Sequence, residues 1–180
     1  FGTSDGHITA LDGVDGRERW TVALGVEGAQ FVDIDADPVV VDGKLYAASI
    51  SGGLFELDPN TGKTLWQAPI KGVVAMLAHD SDILMSLSTA EIIRFNLFKK
   101  RVAWKRGLPR ENGSPGRIRT SGDLGAVAFS KGPMVLFNAN TGIEAMNFEP
   151  GSGFLAPPEL THHGALYILS NRGVLYGFAQ

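Results

Sequence analysis

Asp33, Asp35 and Asp37 alternate along the segment Val32-Asp33-Ile34-Asp35-Ala36-Asp37-Pro38. An extended backbone puts residues i, i+2 and i+4 on one side, so this spacing presents three carboxylates together. Such a row has three chemical readings. It can meet basic side chains of a partner protein, giving orientation and fast encounter. It can be the solvated approach to a strand. It can hold calcium, which takes about six to eight oxygen ligands, although no matching ligand loop accompanies it. The first reading makes Asp33, Asp35 and Asp37 the candidate partner-binding residues.

The other reactive side chains are not arranged for catalysis. Gly62-Lys63-Thr64 is similar to the tail of a phosphate loop, but Leu57 stands where that loop's first glycine belongs, and a strand is expected to follow in place of a helix. His7, His79, His162 and His163 lack a metal-ligand spacing, and adjacent His162 and His163 would point to opposite sides of a strand. Ser130 and the other serines sit in no nucleophile elbow. With no Cys in 180 residues, thiol nucleophiles, disulfides and Cys-ligated metal sites are excluded for this stretch. The sequence therefore names no catalytic residue, no metal ligand and no cofactor.

Charge narrows the partner. A formal net charge of −3 argues against a general nucleic-acid binder, which carries a basic excess. Locally the signs separate. From Glu27 to Asp58 there are seven acids against Lys44 alone. Arg94, Lys99, Lys100, Arg101, Lys105, Arg106, Arg110, Arg117 and Arg119 then face only Glu111. That basic run reads either as a belt for anionic lipid or an acidic partner, or as ordinary polar strands at an outer rim. The stretch 106–119, broken by Pro109, Asn112-Gly113 and Pro115-Gly116, is expected to be a mobile loop. Asn112-Gly113-Ser114 is formally a glycosylation sequon, to which no role is given.

The elements that must carry these residues come from a repeat. Gly6-His7-Ile8-Thr9-Ala10-Leu11-Asp12 parallels Gly53-Leu54-Phe55-Glu56-Leu57-Asp58; each is followed by a turn ending in Gly16 or Gly62, then by Trp20 or Trp66. A third copy has Ile92-Ile93-Arg94-Phe95-Asn96 and Trp104, without the Thr-Gly turn. A fourth has Met134-Val135-Leu136-Phe137-Asn138, Thr141-Gly142 and Met146; a fifth ends on Val174-Leu175-Tyr176-Gly177-Phe178. Anchored on Leu11, Leu57, Phe95, Phe137 and Phe178, the spacings are 46, 38, 42 and 41 residues, the period of a β-propeller blade. Short alternating runs between turn residues read as strands, as in Pro38-Val39-Val40-Val41, 44–49, 54–58 and 64–67. Asp42-Gly43 predicts a tight primed hairpin turn. At the next turn, Asp58 is expected to accept backbone N–H groups while Gly62 takes the left-handed conformation. Such turns, two or three to a blade, account for the excess of glycine, 23 of 180 residues. The repeated Trp is expected to pack between blades.

The expected fold is therefore all-β, an arc of four-stranded antiparallel blades. Residues 1–24 end one blade; 37–69, 73–105 and 118–148 form whole blades; 156–180 form a blade lacking its last strand. Seventeen strand segments exceed the sixteen of a closed four-bladed ring, so the arc is read as about half of a seven- to eight-bladed ring. Phe1 in place of an initiator Met agrees with a piece of a longer chain. Raw blade faces and edges require cover, from the rest of the ring or from a second copy.

The repeat Gly-x-Leu-x-x-Leu-Asp, Thr-Gly, Leu-Trp resembles the PQQ-like β-propeller superfamily. Within it, Val32 to Gly43, Gly151-Ser152-Gly153-Phe154 and the ending Gly173-Val174-Leu175-Tyr176 are most similar to the C-terminal half of the BamB family of outer-membrane assembly lipoproteins. The resemblance implies a non-catalytic scaffold in the periplasm, on the inner face of the outer membrane. It implies a protein partner of the barrel-inserting BamA type, an eight-bladed ring closed by an N-terminal strand, and a lipid anchor upstream as the only membrane attachment. It carries the family's Asp-x-Asp partner contact onto Asp33 and Asp35. The alternatives are a quinone-dependent oxidoreductase from the enzyme branch of the superfamily, which the lack of Cys and of a quinone-binding set disfavours, and a periplasmic or cell-surface propeller with another partner.

Overall fold

Asp42 and Gly43 both take positive φ, 49° and 75°, and close the hairpin from Val41 to Lys44 as the Asp-Gly pair requires. Turns of this kind divide the described residues into strands and connecting loops. The structure, a computed structural model, describes residues 1–26, 28–108, 113–161 and 163–178. Among these, five antiparallel sheets follow one another in chain order. The first pairs β1 (His7–Leu11) with β2 (Glu18–Ala23). The second is β3 (Val39–Val41), β4 (Lys44–Ser49), β5 (Gly53–Leu57) and β6 (Thr64–Ala68). The third is β7 (Val73–His79), β8 (Asp82–Leu87), β9 (Glu91–Asn96) and β10 (Arg101–Gly107). The fourth is β11 (Arg119–Ser121), β12 (Leu124–Ala128), β13 (Met134–Asn138) and β14 (Glu144–Phe148). The last holds β15 (Glu159–Leu160), β16 (Leu166–Leu169) and β17 (Leu175–Phe178). Each strand pairs with its sequence neighbour, so the chain forms the all-β propeller arc that its repeat predicts.

Inner strands are apolar on both faces, and their alternation sorts residues into separate layers. In β5, Leu54 packs toward the third sheet with Tyr46, Ile83, Met85 and Phe95, whereas Phe55 and Leu57 pack toward the first with Ile8 and Trp20. In β13, Val135 and Phe137 join Leu84 and Ile92, whereas Met134 and Leu136 join Phe154, Leu166 and Ile168. Each apolar layer thus lies between consecutive sheets. A fully buried Leu or Phe in such a layer contributes about 1.5–3 kcal/mol.

The repeated Trp locks one sheet to the turn of the next, as expected of a packing residue. Trp20 lies on Gly62, whose turn is held by Asp58 accepting from the N–H groups of Asn60 and Thr61 at 2.8 and 3.1 Å. The Trp20 Nε1–H donates to the Pro59 carbonyl at 3.0 Å. Trp104 repeats this on Gly142, donating to the Ala139 carbonyl at 3.3 Å. Trp66 meets the exception. The third sheet places Lys100 where the other turns have Gly, and Lys100 adopts the same left-handed conformation at φ 50°. Its ammonium lies 4.9 Å from the Trp66 ring centre. A side chain in that conformation costs about 1 kcal/mol or more, and an exposed cation–π contact returns about 0.5–1 kcal/mol.

Candidate partner-docking site

The acidic row sits in the linker from β2 to β3, and its alternation is structural. Ile34 and Ala36 turn inward, 6% and 1% exposed, while Asp35 and Asp37 are exposed and Asp33 is half-buried. Ile34 packs into the layer between the first two sheets and Ala36 into the layer beyond. Backbone bonds hold the same segment. The Ile34 N–H donates to Thr3 at 3.2 Å, and the Asp33 carbonyl accepts from Ile50 at 3.0 Å. The chain of bonds runs on: Gly72 donates to the Ile50 carbonyl and Ser88 to the Gly72 carbonyl, at 2.8 and 2.7 Å. A short backbone ladder therefore ties the acidic linker to the matching ends of the second and third sheets.

Asp37 is engaged. Its carboxylate meets the Arg117 guanidinium at 2.9 Å, although both side chains remain more than half exposed. Each of the two stands two residues before the first strand of its sheet, β3 or β11, so the pair spans the intervening third sheet. No local sequence signal joins residues 80 positions apart; aligning the linkers of the repeat would have placed them at equivalent sites. Arg119 likewise meets Glu159 of β15 at 3.5 Å.

The loop expected to be mobile is anchored in its described parts. Arg106 and Gly107 belong to β10, Leu108 and Ile118 are buried, and the Gly116 N–H donates to Ala128 at 2.8 Å. Burial of these two apolar side chains fixes the two described flanks. Pro109, Arg110, Glu111 and the sequon residue Asn112 lie outside the described residues, as do Glu27 and His162. His163 is in the turn between β15 and β16 rather than in a strand.

The basic run divides in the same way. Arg94, only 13% exposed, pairs with Asp82 at 2.7 Å and Asp80 at 3.5 Å, and donates to Asn140 and to the Ala139 carbonyl. Lys105 pairs with Glu91, Arg106 with Glu144, Arg117 with Asp37 and Arg119 with Glu159. Acids of the same sheet (Asp82, Glu91), of the neighbouring sheet (Glu144, Glu159) and of a linker (Asp37) meet these bases, which favours the reading of polar strands over a continuous belt. Lys99, Lys100 and Arg101 remain exposed at one turn.

Among the described residues, no group of three or more His, Asp or Glu side chains gathers as a metal site. His79 is buried with Nε2 unbonded, 3.7 Å from Asp80. Asp5 is held below the usual carboxylate range by the hydrogen bond from Thr3 and by the His7 ring 3.1 Å away. Beside the acidic linker lies a cleft of about 320 Å³ lined by Asp5, Gly6, Gly25, Val26 and Val32. The arrangement is a rigidly backed, carboxylate-bearing surface, suited to binding by charge.

Known proteins are similar to this chain in sequence and in fold. The outer membrane protein assembly factor BamB of Legionella pneumophila (strain Paris) is 26% identical over 179 residues, covering 97% of this chain and 46% of that protein. BamB of Yersinia pestis is 26% identical over 185 residues, covering 99% and 47%. The chain thus spans about half the length of the curated relatives it matches. The crystal structure of BamB from Moraxella catarrhalis superposes with a TM-score of 0.67 at 20% identity, covering 99% of this chain and 60% of that one, which shows a common fold. Residues 1–106 match the sequence profile of the family described as outer membrane protein assembly factor BamB, and the chain belongs to that family.

Proposed function

We propose that this chain is part of a non-catalytic scaffold for outer-membrane protein assembly, acting in the periplasm on the inner face of the outer membrane. It binds a barrel-inserting, BamA-like protein through Asp33 and Asp35, with Asp37 fixing the segment by its pair with Arg117. One observation carries the reading: Ile34 and Ala36 are buried between the carboxylates, so the acidic row is presented by a segment that packing holds in place. Pre-ordered charges lower the ordering cost of association and speed encounter with a basic surface. Names of relatives as assembly factors support the same role. The test is pull-down of the partner's periplasmic domains by full-length protein carrying Asp33→Lys and Asp35→Lys. The reading expects loss of capture with an unchanged fold, and unchanged capture would remove Asp33 and Asp35 from the interface.

A further inference from the structure

The turn between β9 and β10 breaks the pattern of its repeat in two costly ways. Its neighbours carry Asn60-Thr61-Gly62 and Asn140-Thr141-Gly142; this one carries Phe98-Lys99-Lys100. Lys100 keeps the left-handed backbone that Gly62 and Gly142 supply, at φ 50° against 71° and 72°. Phe98, where the neighbours have Asn, is 92% exposed. Backbone strain and a bare aromatic ring side by side are choices that the fold does not call for, and strain of this kind collects at functional places. Around Phe98 the charge is basic: Lys99, Lys100 and Arg101 are all exposed. Asp42 of the adjacent sheet lines a small pocket with Phe98 and with Lys44, whose ammonium is paired with Glu56 at 3.3 Å, so in that pocket one carboxylate stands against the turn's three cations.

From this we infer that the turn 97–100 with Arg101 is a contact site for an anionic lipid surface. Phe98 enters the headgroup boundary, and Lys99 and Arg101 meet lipid phosphates, while the Lys100 ammonium stays over Trp66 and adds to the field. The site lies away from the acidic row. The backbone ladder from Asp33 reaches Ser88, just before β9 begins at Glu91, and β9 runs to Asn96 beside the turn, a path of about 20 Å. A protein partner and a lipid surface can therefore be held at opposite ends of the sheets. The inference stands on the turn alone, independently of the function proposed for Asp33 and Asp35.

The experiment is sedimentation of the full-length polypeptide, prepared without covalent lipid, with phosphatidylcholine vesicles containing or lacking phosphatidylglycerol. The key variant grafts the neighbours' turn, Phe98→Asn with Lys99→Thr and Lys100→Gly, which keeps the backbone and relieves its strain. The parent is expected to partition onto anionic vesicles about tenfold or more over neutral ones, and the graft to lose most of that preference with undiminished thermal stability. Asn60→Ala, a change in the matching turn of the neighbouring sheet, should bind vesicles like the parent. Equal partition to both vesicle types, or a graft that binds like the parent, overturns the inference. So does loss of an acidic protein partner by the graft while vesicle binding stays at background.

Discussion

The Trp20 indole lies so close to Gly62 that a β-carbon there would stand 2.5 Å from the ring. Gly142 and Trp104 stand in the same relation, at 2.7 Å. Glycine serves these turns twice, by adopting positive φ and by leaving room for the indole of the preceding sheet. The Thr-Gly turn and the Trp are therefore one device, a lock between consecutive sheets.

Gly62→Ala is expected to lower unfolding free energy by at least about 2 kcal/mol, from left-handed strain plus displacement of Trp20. Gly16→Ala is the control. Gly16 has the same φ, 74°, but open space where its β-carbon would go, so about 1 kcal/mol is expected. Urea titration of both variants separates the two contributions.

Removing Asp82 takes from Arg94 the nearer of its two carboxylates and leaves the exposed Asp80 at 3.5 Å. The carboxylate takes the Arg94 Nε–H at 2.7 Å and the Asn96 amide at 2.8 Å, and both ionic side chains are largely buried. Asp82→Ala should cost about 2 kcal/mol, below the range for a fully uncompensated buried charge because Asp80 remains beside Arg94, and Asp82→Asn less. Chemical denaturation of the two variants and of a double variant with Arg94→Met checks this, the double variant recovering part of the loss.

Tyr46 gives the protein a stability loss at high pH. Burial, reinforced by the negative charge of Glu56, raises its phenol to about 12 from the ordinary 10. The folded state therefore holds the proton after the unfolded chain has released it. This contribution is complete below pH 10 and declines as pH rises from 10 through 12. Tyr46→Phe should show a shallower fall of the urea midpoint over that window than the parent.

Much of the fold is legible in the residues themselves. The short apolar run from Leu54 to Leu57, bounded by turn residues, and the Asp42-Gly43 pair specify strand and turn locally, and the observed β3 to β6 lie within a residue or so of those signals. The Trp positions declare packing because Met146 can replace an indole there, and Met146 does pack against the layer of Phe154 and Ile168. Pairing of charge is not legible in this way. Arg94 meets Asn140 across two sheets, and Arg117 reaches Asp37 over a third, so the basic run looks continuous only when read along the chain. Exposure of Phe98 was hidden for the opposite reason: its turn looks like a lost motif, and only the retained φ of Lys100 shows the motif's geometry intact.

The central claim is that a packed linker presents Asp33 and Asp35 to a basic protein surface. Its most direct measurement is the affinity of full-length protein for the periplasmic domains of a BamA-like partner, by calorimetry, across ionic strength. Asp33→Lys with Asp35→Lys should weaken binding by about a hundredfold or more, and the parent's affinity should fall as salt rises. An affinity that is unchanged by both reversals and indifferent to salt contradicts the account.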